Sequence, residues 1–178
     1  MKQLILGGAR SGKSTYAQGL AEQSRQDVIY LATATAGDAE MAARIKQHQT
    51  NRPAHWQVIE EPVALAQVLQ QQAAEDVCIL VDCLTLWLSN LLARGDEILA
   101  QQKTALLHGL ATVPGHIIFV SNEVGMGIIP MGELSRRFVD EAGFLHQQLA
   151  QACDTVTLMV AGLPYQIKPH ADQTNRVK

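Results

Sequence analysis

Aromatic side chains are scarce in this chain, 4% of its 178 residues. Base-stacking platforms need them, so a single-strand nucleic-acid binder is disfavoured from the outset. Positive charge is not in excess either. Fourteen Lys and Arg stand against seventeen Asp and Glu, a net charge of −3. No broad basic field invites a nucleic acid. Cysteine is limited to Cys78, Cys83 and Cys153. None forms a C-x-x-C pair, and no His stands at zinc-finger spacing from them. An odd count fits reduced thiols in a cytoplasm. Long apolar runs are also missing. The first, LIL, is broken at once by Gly7, and no signal peptide is expected. The longest region, Ile79 to Ala93, contains Asp82, Ser89 and Asn90. It falls short of the roughly 20 apolar residues of a membrane span.

What is present is ordinary for a globular protein, 47% apolar and 17% charged. The length favours one domain, expected over residues 1–170, with a polar tail at 171–178. A chain this long buries roughly 70% of its unfolded surface.

Five apolar runs read as strands: residues 2–7, 27–34, 77–82, 116–123 and 155–162. They are continuous rather than alternating, the pattern of strands covered on both faces of a parallel sheet. Helical patterns lie between them. One covers Lys13 to Arg25. Another covers Asp38 to about His48, capped by Gly37-Asp38. A third covers Pro62 to Ala73, with Pro in its first turn. The clearest stripe is Leu134, Phe138, Ala142, Leu145, Leu149 and Ala152. Arg136 and Asp140, and Arg137 and Glu141, are four apart on its flanks. Strand–helix alternation predicts an α/β fold with a mostly parallel central sheet flanked by helices.

GGARSGKS, Gly7 to Ser14, matches the P-loop pattern in full, after a strand and before a helix. Its glycines let backbone N–H groups turn inward onto phosphate oxygens, beside the positive end of the helix. Lys13 is placed to reach the β- and γ-phosphates, and Ser14 to offer its hydroxyl to Mg²⁺. A P-loop protein needs an acid at the end of another strand. VCILVD ends in Asp82. That Asp reads as a metal-side carboxylate, as an N-cap of the next helix, or as both.

Glu40, Arg44 and His48 recur every four residues beside an apolar face formed by Met41 and Ile45. His48 at a helix C-terminus reads either as a dipole-favoured surface histidine or as a neutral imidazole nucleophile. Composition does not decide between them. VSNEVGMGIIP places Asn122 and Glu123 at a strand end, where open α/β sheets bind ligands. We read these two as substrate-side residues near the phosphate acceptor, with a purely structural loop as the alternative.

Taken in order, GGARSGKS, EMAARI-x-x-H-x-x-x-RP-x-x-W, ILVDCLTLWLSNLL, VSNEVGMGIIP and SRRF-x-D-x-x-G resemble one family. It is the bifunctional adenosylcobinamide kinase / adenosylcobinamide-phosphate guanylyltransferase of vitamin B12 biosynthesis. The resemblance runs from about Leu4 to about Lys168. It implies a RecA-like P-loop NTPase fold, ATP, GTP and adenosylcobinamide as substrates and a homotrimer, alongside the Mg²⁺ expected from the P-loop and the cytoplasmic location expected from the cysteine count. It implies that His48 carries GMP covalently. It assigns nucleotide contacts to Gly7, Gly8, Ala9, Arg10, Ser11, Gly12, Lys13 and Ser14, to Ala32, Thr33 and Ala34, to Gln49, Thr50, Asn51 and Arg52, and to Glu60 and Asp82. Gln49 stands where the family often has a basic residue, and Glu61 is an equally acidic neighbour of Glu60. A simpler P-loop kinase for a small metabolite, with His48 a bystander, and a nucleotide-binding regulator are the competing readings.

Overall fold

A computed structural model describes residues 1–35 and 53–168. The expected helix from Asp38 to about His48 lies outside the described residues, as do Gln49, Thr50, Asn51, Arg52 and the 171–178 tail. The strands are β1 (Lys2–Gly7), β2 (Asp27–Ala32), β3 (Gln57–Glu60), β4 (Val77–Asp82), β5 (His116–Asn122), β6 (Thr155–Val160) and β7 (Leu163–Lys168). The helices are α1 (Lys13–Gln23), α2 (Leu65–Gln72), α3 (Leu84–Leu92), α4 (Asp96–Leu110) and α5 (Glu133–Ala152).

One sheet runs in the order β3-β2-β4-β5-β1-β6-β7. All its pairings are parallel except β6 with β7. The continuous apolar runs therefore mark strands buried on both faces, as their composition predicts. Side chains of alternate parity enter two cores. Leu4, Leu31, Ile79, Val81, Ile117 and Phe119 face α2, α3, α4 and α5. Ile5, Tyr30, Leu80, Ile118 and Val120 face Ala17 and Ala21 of α1, with Trp56 beside them. Trp87 is wholly buried on α3, and its indole N–H donates to Val63 O at 2.8 Å. That bond satisfies the one polar atom of a large apolar side chain and fixes α3 to the segment before α2.

Several boundaries differ from the sequence reading, each for a local reason. The third helix begins at Leu65, not Pro62, because Glu61 Oε1 accepts the backbone N–H groups of Val63 and Ala64, both at 2.8 Å. The expected 155–162 strand ends at Val160, where Ala161 and Gly162 take positive φ of 51° and 81° and turn the chain into β7. The α5 stripe is shorter than its pattern: Ala142, Leu145 and Leu149 are buried, whereas Leu134 is 68% exposed and Ala152 is exposed. Its flanking charges pair across helices instead of along one. Arg137 binds Asp96 and Lys103 binds Glu141, both joining α5 to α4. Helix α4 and strands β3 and β7 are additions to the elements read from sequence.

At the amino-terminal edge of the sheet, His116 Nε2 lies 2.8 Å from Gln3 Oε1, and Gln3 Nε2 donates to Thr155 Oγ1 at 3.2 Å. Burial, helped by the chain's amino terminus, pushes the His116 imidazole down to about 4. The folded state keeps this ring neutral while the unfolded chain binds a proton below about 6.5. The unfolded state then holds more protons, so stability falls as pH drops from about 6.5 towards 4. Urea titrations at pH 7 and about pH 4.5 test this. The parent should lose more stability between the two than His116→Gln, which keeps a donor for Gln3 without the charge.

Candidate active site

Six parallel strands, β1 to β6, bring their carboxyl ends to one edge. Gly7 stands in register with Asn122, Asp82 with Val120, and Ala32 with both Asp82 and Glu60. Each of the strand ends at Gly7, Ala32, Glu60, Asp82 and Asn122 carries a residue the sequence had marked, although Gly7 and Asn122 are 115 positions apart. Ligands of open α/β sheets sit at this edge because loops and helix N-termini converge there.

The phosphate loop leaves β1 at Gly7 and enters α1 after Gly12. Two close approaches demand glycine. A Cβ on Gly7 would lie 2.6 Å from Met159 O and 2.7 Å from Ser11 Oγ. One on Gly12, at φ 91°, would lie 3.2 Å from Gly162 Cα. The loop is thus laid against the β6–β7 turn, and Gly162 N donates to Ser11 O at 3.0 Å. Arg10 adopts positive φ of 56°. Ser11 N donates to Gly8 O at 3.3 Å, and Lys13 Nζ donates to the same carbonyl at 2.6 Å. Ser11 Oγ is buried with no hydrogen-bond partner. Gly8, Arg10, Ser11, Glu123 and Met126 line a cleft of about 390 Å³.

Lys13 is 7% exposed. Burial pushes its ammonium down from the usual lysine value, and the nearby Cys83 and Asp82 oppose that shift. The phosphate-loop lysine and the strand-end carboxylate therefore share one electrostatic environment. Asp82 does not cap α3: that helix starts after Cys83 with no side-chain cap. Its Oδ2 instead accepts from Tyr30 O–H at 2.9 Å.

Thr33 is fully buried. Its hydroxyl donates to Cys83 O at 2.7 Å and accepts from Cys83 N at 2.9 Å, while its carbonyl accepts from Asn90 Nδ2 at 2.8 Å. It welds the end of β2 to the turn after Asp82. Asn122 Nδ2 reaches the same turn through Thr85 Oγ1 at 3.0 Å. Of the two acids after β3, Glu61 is occupied in starting α2, whereas Glu60 is exposed at the strand end. The three cysteines are buried and free, and burial raises Cys78 to about 11 and Cys153 to about 12, so they remain thiols.

Sequence reasoning missed three contributors. Tyr30 is hidden in an apolar run, the Ala161–Gly162 turn belongs to a strand pair it did not separate, and His146 lies inside the α5 stripe. His146 could have been noticed: it follows Leu145 on a face that is otherwise buried.

The family model for cobinamide kinase / cobinamide phosphate guanyltransferase matches residues 3–167. The chain belongs to that family. Within the cobinamide kinase / cobinamide phosphate guanyltransferase family, it is 57% identical over 169 residues to the bifunctional adenosylcobalamin biosynthesis protein CobP of Pseudomonas aeruginosa, covering 94% of this chain and 98% of that one. It is 38% identical over 182 residues to the bifunctional adenosylcobalamin biosynthesis protein CobU of Salmonella typhimurium, covering 94% and 100%. Family membership makes this chain an enzyme. Among solved structures, the RadB recombinase aligns with TM-score 0.53 at 14% identity, over 88% of this chain and 73% of that one. The P4 protein of bacteriophage phi6 in complex with ADP aligns with TM-score 0.51 at 17% identity, over 96% and 56%. At such identities the likeness is one of fold, and the fold is that of the P-loop NTPases.

Gly12→Ala should be poorly tolerated. Strain at one residue forced into such a conformation costs about 1–3 kcal/mol, and about 1.4 kcal/mol is a factor of ten in an equilibrium. Urea denaturation should show the folded-to-unfolded ratio lowered about tenfold or more, with the circular dichroism of the folded variant retained.

Proposed function

We propose that this chain carries both reactions of its family. It phosphorylates the aminopropanol hydroxyl of adenosylcobinamide with ATP or GTP. It then transfers GMP from GTP to adenosylcobinamide phosphate, giving adenosyl-GDP-cobinamide and pyrophosphate. The observation that carries this reading is the common edge. The phosphate loop, Asp82, and the Asn122–Glu123 pair end neighbouring strands of one sheet in a chain that belongs to this family.

In the first reaction the loop N–H groups and the N-terminus of α1 hold the phosphates. Lys13 exchanges Gly8 O for a phosphate oxygen, and its depressed basicity is restored by that anion. The acceptor oxygen bonds to the γ-phosphorus as the bond to the β-phosphate oxygen breaks. Asn122 and Glu123 face the acceptor. In the second reaction neutral His48 attacks the α-phosphorus, pyrophosphate leaves, and the acceptor phosphate then displaces the imidazole. The two reactions break bonds at opposite ends of the triphosphate. Each needs its reacting atoms about 3–3.5 Å apart and in line, so the nucleotide takes two poses or His48 moves between steps.

Mg²⁺ fits the residues present. Ser14 and Asp82 offer a hydroxyl and a carboxylate, hard oxygen donors, and the Tyr30 hydroxyl orients Asp82. Among the described residues no three His, Cys, Asp or Glu side chains gather as a cage. Two protein oxygens completed by phosphates and water is the usual pattern for nucleotide-borne Mg²⁺. When bound, the ion offsets charge on the phosphate oxygens.

The homotrimer is proposed from the family resemblance, and exposed apolar surface supports a contact between copies. Met126, Ile128, Ile129 and Met131 are 71–99% exposed after β5, and Leu163 and Tyr165 are exposed on β7. Patches of this kind on a soluble chain commonly mark contacts between proteins. Among the described residues no helix is long and apolar enough to cross a membrane.

Incubation with GTP labelled at the α-phosphate should mark the protein in an acid-labile, base-stable bond. His48→Ala should abolish the mark while adenosylcobinamide phosphorylation persists. A parent enzyme that phosphorylates but never becomes labelled would reduce the reading to a simple kinase. Sedimentation should give three times the chain mass, and Ile128→Asp should lower it.

A further inference from the structure

Behind the acceptor side of the cleft lies a polar chain whose two inner members, Ser121 and His146, the proposed chemistry has not used. Ser121, on β5, is fully buried. Its Oγ is 2.7 Å from Nε2 of His146, which is 6% exposed on α5. His146 Nδ1 is 3.7 Å from Glu123 Oε2. Glu123 Oε1 accepts from Gly125 N at 2.6 Å, and Glu123 N donates to Gly7 O at 2.9 Å. The carboxylate is one-fifth exposed and lines the cleft beside the phosphate loop.

The order serine–histidine–carboxylate resembles a hydrolase triad, but its exposure is inverted. The serine is sealed in the core, so it cannot attack a substrate. The carboxylate is the end that meets the cleft. A neutral imidazole has one N–H and one lone pair. With the proton on Nε2, the Nδ1 lone pair would face the carboxylate, a repulsive arrangement. With the proton on Nδ1, Ser121 donates to Nε2 and the N–H faces Glu123. Both contacts are then favourable, and the serine fixes the tautomer. The 3.7 Å separation exceeds a hydrogen bond by about 0.8 Å. The two groups are within ion-pair range, and the other carboxylate oxygen is held by Gly125 N.

We propose that His146 is a positioning residue for phosphoryl transfer, holding the Glu123 carboxylate at the cleft to receive the acceptor hydroxyl. This rests on the reading of Glu123 as the acceptor-side residue. As the hydroxyl oxygen bonds to the γ-phosphorus and the nucleoside diphosphate departs, the hydroxyl proton passes to Glu123 and from there to solvent. The Nδ1–H fixes which carboxylate oxygen faces the acceptor. Ser121 acts one step further back, through the imidazole alone.

The test is steady-state phosphorylation of adenosylcobinamide at saturating GTP, with thermal midpoint and GTP affinity recorded for each variant. His146→Asn keeps an N–H near the Nδ1 position and loses the Nε2 contact. His146→Gln does the reverse. The expected result is that His146→Gln lowers kcat about tenfold or more, with KM for adenosylcobinamide changed less than about threefold. His146→Asn should recover most of the loss, and Ser121→Ala should fall between. Equal kcat in the folded Gln and Asn variants would overturn the proposal, because packing alone does not distinguish which nitrogen is replaced. Glu123→Gln separates the two readings. If it phosphorylates at the parental rate, the acceptor-side assignment of Glu123 itself fails, whatever the His146 variants do.

Discussion

The functional edge depends on the backbone ladder between β1 and β5. That pairing sets Gly7 opposite Asn122 and lets Glu123 N bond to Gly7 O. The glycine-rich loop and the Asn122–Glu123 pair are therefore positioned by main-chain hydrogen bonds in the middle of a sheet, where both neighbours are buried and slippage by one residue would invert every side chain. Asp82 follows from the next pairing outward, β4 on β5. Strand order, more than any side-chain contact, makes distant motifs into one site.

Glycine provides the second constraint. The loop can lie against β6 only because Gly7 and Gly12 present no Cβ to Met159 and Gly162. The contact sets the end of β6 beside the loop, and Met159, Val160 and Ala161 line the same cleft as Gly8, Arg10 and Ser11. Thr33 does comparable work on the opposite flank by taking both polar groups of Cys83 into hydrogen bonds. The resemblance placed Thr33 among nucleotide contacts, but its hydroxyl is committed to holding the turn that presents Asp82.

How much of this was legible in the sequence depends on how local the signal is. Strands β1, β2, β4 and β5 were legible because burial on both faces leaves an unbroken apolar run. The phosphate loop was legible because its glycines, lysine and serine are adjacent. Asp82 stood out as an acid ending an apolar strand. Strand β3, QVIE, was not, being short, mostly exposed and at the sheet edge. Strand β7 opens with Leu-Pro and is exposed on most positions, so it carries no burial pattern. Helix α4 mixes Gln and Lys through a weak stripe, and its partner charges lie on α5, beyond any local window. The Ser121–His146–Glu123 chain joins two elements across 25 positions, and only the packing of α5 on β5 brings it together.

One cation gives this arrangement its mechanical character. Lys168, the last residue of β7, reaches the carboxyl end of α5, where its ammonium donates to the carbonyls of Ala150, Gln151 and Cys153 at 3.0, 3.1 and 2.5 Å. Those carbonyls carry the negative end of the helix dipole. The strand it ends is the one whose turn backs the phosphate loop, and the helix it grips is the one that holds His146. The circuit runs from loop to hairpin, through Lys168 to α5, and along α5 to Glu123. The glycine-rich loop and the Glu123 carboxylate are thus opposite jaws of one closed frame.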